Sequence, residues 1–313
     1  WRPDVVLTVA PAFFCAPGAL LLGKLCGEAT TTWLHIQDYE LDAAFELGIL
    51  KGKWIRRLAE NWERSTLNGF NKISTISEAM RQRAIAKGVE PMRVCLLPNW
   101  VDLNAIKPQA LIHQAINPYR SALNISDGSI VLLYSGSMNN KQGLEVLTKA
   151  IHILSDSQDL VWLLAGEGPT KAKLKKSVEG IINVKILPLQ PAKNINNWLN
   201  LADIHLLPQK EDAADLVMPS KLLGILASGR PLVASSPANS ELGALTEEAG
   251  IRVDPGNAEG FARAILRLSR DKELRTRLGS RGRQLVEEKY CRETLLKKME
   301  AGLLEEIVFW GRN

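Results

Sequence analysis

Residues 130–154 read IVLLYSGSMNNKQGLEVLTKAIHIL. The unbroken apolar run Ile130–Tyr134 passes through a turn of small and polar residues into the helical pattern Gly143–Leu154. A strand that is apolar at successive positions is buried on both faces, as strands of a parallel sheet are. The same kind of run recurs at Leu160–Ala165, Val184–Leu187, Ile204–Leu207, Pro231–Ala234 and Gly250–Val253, and a second helical pattern lies at Ala258–Leu268. Upstream, Asp4–Val9, Thr32–Gln37, Lys72–Ile76 and Arg93–Leu97 form a shorter first series. Strands alternating with helices predict an α/β fold of two doubly wound, Rossmann-like domains.

The polar stretch Lys107–Gly128 has little periodicity and is the expected linker, which gives a first domain over 1–110 and a second over 111–290. From Lys272 the pattern is helical, ending in an amphipathic segment from Arg292 to Trp310 within the tail 291–313. The second series looks complete. Four strands make a thin doubly wound domain, and the chain opens on Trp1-Arg2-Pro3 without Met, so the first domain is expected to be incomplete at its N-terminus.

With 313 residues, 46% of them hydrophobic, the chain can bury a substantial core, and 23% charged residues argue against global disorder. Cys15, Cys26, Cys95 and Cys291 are sparse and form no C-x-x-C pair, which fits a reducing cytosol. No apolar run approaches the roughly 20 residues that span a bilayer. The net charge is +5, and residues 51–93 alone hold ten Lys or Arg against four Glu. Such a window is either a solvated face or a surface for an anionic partner. Within it Trp54, Ile55, Leu58 and Trp62 share one helical face and Lys53, Arg56, Arg57 and Arg64 the other. Either the Trp side chains pack into the core or the helix lies on an anionic membrane surface, in keeping with a cytoplasmic protein held peripherally at the inner face of the membrane.

The four His residues show no metal-ligand spacing, no D-x-D motif is present, and there is no Walker phosphate loop. No metal and no cofactor is therefore expected. Three turns follow strand carboxyl ends, where open α/β sheets bind ligands. Ser135–Gly143 offers Gly136, Ser137, Lys141 and Gln142 ahead of a helix N-terminus, where free N–H groups suit phosphate. Leu164–Pro169 offers Gly166, Glu167 and Gly168, with Glu167 as a polar group at a strand end. Asp215–Gly224 offers Asp215, Pro219, Ser220, Lys221 and Leu222. In it Ser220 is placed to cap a helix and Lys221 adds a charge. Each turn taken alone is also ordinary strand–turn–helix chemistry.

Together these strings resemble the family 4 retaining glycosyltransferases, in the subgroup of colanic-acid and exopolysaccharide transferases. Met218–Leu223 running on through Ala227–Ala234 is similar to the family's donor loop, Leu163–Pro169 to its second turn, and Ser135–Leu144 to its first phosphate turn. Leu97–Asp102 resembles the string that closes the first domain, and Leu34–Asp38 the acceptor-side strand end. The resemblance covers nearly the whole chain in the right order. It implies a GT-B type architecture, two domains facing a cleft with the donor on the second and a last helix returning to the first. It further implies a nucleotide-sugar donor, a glycan or polyprenyl-linked acceptor in cell-surface or exopolysaccharide biosynthesis, no nucleic acid, retained configuration and no metal. His35, Asp38 and Glu167 are then the candidate catalytic groups. The chain departs from the pattern at Gly224, where the family has the Glu that holds the donor ribose. It departs again near Leu216, where Asp215 stands beside the place of the other Glu, and at Gln37, where many members have His. A sugar-nucleotide epimerase of the same architecture and a non-catalytic nucleotide-sugar-binding module are the alternatives.

Overall fold

The computed structural model describes all residues except 1, 12, 28, 47–49, 51, 110–116, 212–219 and 311–313, and gives backbone alone for 43, 46 and 306–310. Asp215 and Pro219 thus lie outside the described residues.

The chain divides into two compact units, Trp1–Asn99 with Glu293–Asn313, and Trp100–Arg292. The first contains β1 (Val5–Ala10), α1 (Ala16–Cys26), β2 (Thr31–Ile36), α2 (Glu40–Glu46), α3 (Lys53–Gly69), β3 (Lys72–Thr75), α4 (Glu78–Ala86) and β4 (Val94–Leu96). Its parallel sheet has the order β1-β2-β3-β4. Alternation along β2 sorts its side chains: Leu34 and Ile36 join Phe70, Ile73 and Met80 in the core, while Trp33 and His35 take the opposite face.

The second unit contains α5 (Pro118–Ala122), β5 (Ile130–Ser135), α6 (Leu144–Ile153), β6 (Leu160–Ala165), α7 (Lys171–Ser177), β7 (Val184–Leu187), α8 (Ile195–Leu201) and β8 (Ile204–Leu207). It continues through α9 (Ser220–Ala227), β9 (Leu232–Ser235), α10 (Glu241–Ala249), β10 (Gly250–Val253), α11 (Ala258–Arg270) and α12 (Lys272–Lys289). A final helix, α13 (Arg292–Trp310), returns the chain to the first unit. The sheet order β10-β9-β8-β5-β6-β7 is parallel throughout. Leu132 and Tyr134 of β5 pack with the α6 and α11 side chains, whereas Val131 and Leu133 pack with Trp198 on the other face. Burial on both faces is why the strand reads as apolar without alternation.

The units meet in sequence at Asn99–Trp100, ahead of the expected boundary at 110. Val101 and Ile106 are buried in the second unit's core beside Leu222 and Leu226. Asn196 and Asn200 side chains accept from the Lys107 and Gln109 backbone N–H groups at 2.9 and 2.8 Å, and Arg230 donates to the Gln109 carbonyl at 2.9 Å. The segment 100–109, which includes the start of the stretch read as a linker, is therefore bound to the second unit, and that stretch goes on to form helix α5 over Pro118–Ala122. At the other end, Arg292 pairs with Asp102 at 2.6 Å. All four cysteines are free thiols. Among the described residues no helix is long and apolar enough to cross a membrane.

Candidate functional site

In the second sheet the chain leaves β5 for β6 on one side and reaches β8 on the other. The β5–β8 boundary is the topological switch point, and the crevice outside its carboxyl ends is where such sheets take ligands. Here Gly136 N–H donates to the Ala165 carbonyl at 3.0 Å, and Met138 N–H to the Glu167 carbonyl at 2.7 Å. The Thr170 hydroxyl donates to the Met138 carbonyl at 2.8 Å. These bonds fasten the first two turns into one surface. A Cβ at Gly166 would stand 2.1 Å from the Gly136 carbonyl oxygen, so only glycine permits this approach. Gly168 is as restricted, with φ +149 and 2.3 Å to the Met138 carbonyl oxygen.

Lys221, in the first turn of α9, reaches into this surface. Its Nζ is 3.1 Å from Gln142 Oε1 and 4.2 Å from the centre of the Tyr134 ring. A Cβ at Gly136 would lie 3.2 Å from it. A cation in a helix's first turn opposes the helix dipole. No carboxylate pairs with it among the described residues, and desolvation pulls its pKa down to about 7. A half-buried amine held this way is chemically prepared for an anion.

The structure brings together Gly136, Gln142, Gly166, Gly168 and Lys221. Lys141 is exposed on the same turn, where its N–H donates to Asn139 Oδ1 at 3.1 Å. Ser137 is exposed there too, and its carbonyl accepts from the Tyr134 hydroxyl at 2.5 Å. Ser220 opens α9 at the surface. Leu222 does not share their setting. Its side chain is fully buried in the core with Leu207 and Leu226, so any part it plays at the surface is through its backbone. Gly224, standing where the family resemblance implies a ribose-holding Glu, faces Leu199 and Ile106, whose methyl carbons would be 3.4 and 3.7 Å from an added Cβ. Glu167 is exposed in the turn ahead of α7 and paired with Lys171, four residues on, at 2.6 Å.

His35 and Asp38 lie in the first unit. His35 is 7% exposed at the end of β2. Ser74 Oγ accepts from Trp33 Nε1 at 2.8 Å, which leaves its own proton for His35 Nδ1 at 2.9 Å. Burial lowers the His35 pKa, so the ring is neutral, and this bond fits a proton on Nε2. Asp38 follows β2 in a partly exposed loop and makes no hydrogen bond or ion pair among the described residues.

The basic window resolves into two parts. Lys87 bridges Asp42 and Glu63, and Arg83 pairs with Asp42 at 2.7 Å, so these cations are internal. On α3, Trp62 packs against Phe13 and Phe14, while Trp54 and Leu58 are 68% and 55% exposed. Of the four residues on the expected apolar face, Trp62 packs inward and Trp54, Ile55 and Leu58 stay at the surface. Two features escaped the sequence reading. Tyr134 reads as one more core residue of a strand, yet its ring supports Lys221. Lys210, past the end of β8, has its N–H 3.4 Å from the Lys141 carbonyl and its amine 3.7 Å from Glu145.

Residues 129–271 match the family described as glycosyl transferases group 1, and residues 1–100 match the glycosyl transferase 4-like domain. The chain is 39% identical over 273 residues to a protein of Escherichia coli (strain K12) named for colanic acid biosynthesis, the glycosyl transferase WcaI, covering 85% of this chain and 66% of that one. It is 26% identical over 194 residues to an E. coli UDP-Gal:alpha-D-GlcNAc-diphosphoundecaprenol alpha-1,3-galactosyltransferase, covering 59% of this chain and 48% of that one. The chain spans less than two thirds of the length of these curated relatives. In fold it is similar to Anabaena HepE, solved in complex with UDP and glucose, with a TM-score of 0.72 at 15% identity over 95% of this chain and 77% of that one.

Proposed function

This chain belongs to the group 1 glycosyl transferases, and we propose that it moves a sugar from a nucleotide-sugar donor to a glycan or polyprenyl-linked acceptor in the making of a cell-surface polysaccharide. The single observation that carries the donor half of this reading is Lys221, half-buried at the switch point with no carboxylate partner among the described residues. The names of the relatives support the rest. The HepE structure holds UDP and glucose, and the galactosyltransferase is named for a diphosphoundecaprenol acceptor.

In the proposed reaction the bond between the sugar's anomeric carbon and the diphosphate oxygen breaks, and the diphosphate leaves with the electron pair. The acceptor hydroxyl oxygen bonds to the anomeric carbon and gives up its proton, and the configuration is retained. Lys221 and Lys141 stabilise the charge that develops on the leaving diphosphate, which is electrostatic catalysis supplied by the chain's own groups without a metal. Glu167 lies at the edge of the same surface, on the sugar side. His35 and Asp38 serve the acceptor side.

We place the protein in the cytoplasm, at the inner face of the membrane. Trp54, Ile55 and Leu58 of α3 are exposed, and Lys53, Arg57 and Arg64 form no ion pair among the described residues. An apolar strip flanked by unpaired cations suits an anionic bilayer surface. A thermal-shift screen of UDP-, GDP- and dTDP-sugars with EDTA present tests the donor reading. One nucleotide class raises the melting temperature; no shift with any of them contradicts it.

A further inference from the structure

The end of β8 brings another cation to the crevice. A Cβ at Gly143, the glycine that closes the first phosphate turn, would lie 3.2 Å from Lys210 N, so the two backbones are in contact. The Lys210 N–H lies 3.4 Å from the Lys141 carbonyl oxygen, which puts these two lysines on facing edges of the β5–β8 switch point. The Lys210 amine is 3.7 Å from Glu145 Oε1, with side-chain exposures of 43% and 50%. An exposed pair at that separation is weak and easily exchanged. Glu145 stands in the first turn of α6, two residues after Gly143. The partner of Lys210 beside the phosphate turn is therefore a carboxylate of the chain itself.

We propose that Lys210 is a further binding residue for the donor's diphosphate, and that Glu145 is its placeholder, displaced when the diphosphate arrives. The inference rests on the donor site described under Proposed function. A diphosphate carries more charge than a carboxylate and offers several acceptor oxygens, so it outbids Glu145 for the amine. The flexible four-carbon stem of Lys210 allows the swing. Glu145 opposes binding twice, by holding the lysine and by repelling the incoming anion. Its loss therefore tightens binding.

The test is titration of UDP by calorimetry into the wild-type chain, Lys210→Ala, Glu145→Gln and the double variant, at low and high salt. Both side chains are half exposed, and equal melting temperatures across the set establish that the fold is intact. Lys210→Ala weakens UDP roughly tenfold, the loss of one charge-assisted contact. Glu145→Gln tightens it severalfold, the gain shrinks in the Lys210→Ala background, and both effects fade as salt rises. Wild-type affinity in Lys210→Ala, or weaker binding in Glu145→Gln, overturns this inference alone. A wild-type chain that binds no UDP, GDP or dTDP overturns the donor site itself, and this inference with it.

Discussion

The ammonium group of Lys221 lies 4.2 Å from the centre of the Tyr134 ring, and among the described residues it donates to the uncharged amide of Gln142. A ring face and an amide oxygen stabilise a cation less than a carboxylate does, and burial costs it hydration. The amine therefore sits near neutrality, at a pKa of about 7.

That value sets a proton balance. Between about 7 and the ordinary 10.5 the folded chain binds fewer protons at Lys221 than the unfolded chain, so this group's contribution to stability rises with pH across that window. A diphosphate beside the amine favours its charged form and raises the pKa. UDP binding at pH 8 then takes up protons, up to one per site. Calorimetry in buffers of low and high ionisation heat reads the uptake, and Lys221→Met abolishes it. Proton release, or no change, removes Lys221 from the site.

The Gly166–Gly136 approach gives a steric prediction. Gly166→Ala places a methyl group against the Gly136 carbonyl oxygen and forces the two turns apart. Urea unfolding shows a loss of about 1–3 kcal/mol, the usual cost of overpacking, and UDP affinity falls with it. Gly128→Ala, where nothing lies within 4 Å of the added methyl, leaves both unchanged.

On α3 the exposed apolar residues are separable from the packed one. Trp54→Glu and Leu58→Glu leave the melting temperature unchanged, because both side chains are exposed. The pair reduces sedimentation with anionic vesicles at least tenfold, and salt reduces wild-type binding. Vesicle binding that ignores both the substitutions and the salt places the contact elsewhere.

The strands were legible because burial on both faces writes itself as unbroken apolar runs. Ile130–Tyr134 and Leu160–Ala165 are found within a residue of where they were expected. The linker was not legible. Lys107 and Gln109 look like loop residues because their hydrogen-bond partners, Asn196 and Asn200, are 89 and 91 residues away. Local pattern also could not separate Lys221 from Leu222. Adjacent helix positions point about 100° apart, and the helix phase decides which one meets the crevice. Tyr134 was hidden for a related reason, since a buried aromatic in a strand reads as core until the residue above its face is known.

Residues 100–292 produced alone are expected to fold and to bind UDP as the whole chain does, since they form one compact unit with the donor turns inside it. A fragment starting near Ala115 is less stable. It lacks the buried Val101 and Ile106, and it leaves Asn200 and Arg230 without their backbone partners at Lys107 and Gln109. Urea midpoints of the two fragments check this, and equal midpoints would show that the 100–109 segment adds nothing.

The central claim is that a nucleoside diphosphate is held at the β5–β8 crevice by Lys221. Calorimetric titration of UDP into the wild-type chain, Lys221→Ala and Lys176→Ala, each with EDTA, tests it most directly. Lys176 is a surface residue of α7 and serves as the charge control. The account predicts wild-type binding that survives the chelator, at least tenfold weaker binding in Lys221→Ala, and unchanged binding in Lys176→Ala. Equal losses in the two variants, or wild-type affinity in Lys221→Ala, would contradict it.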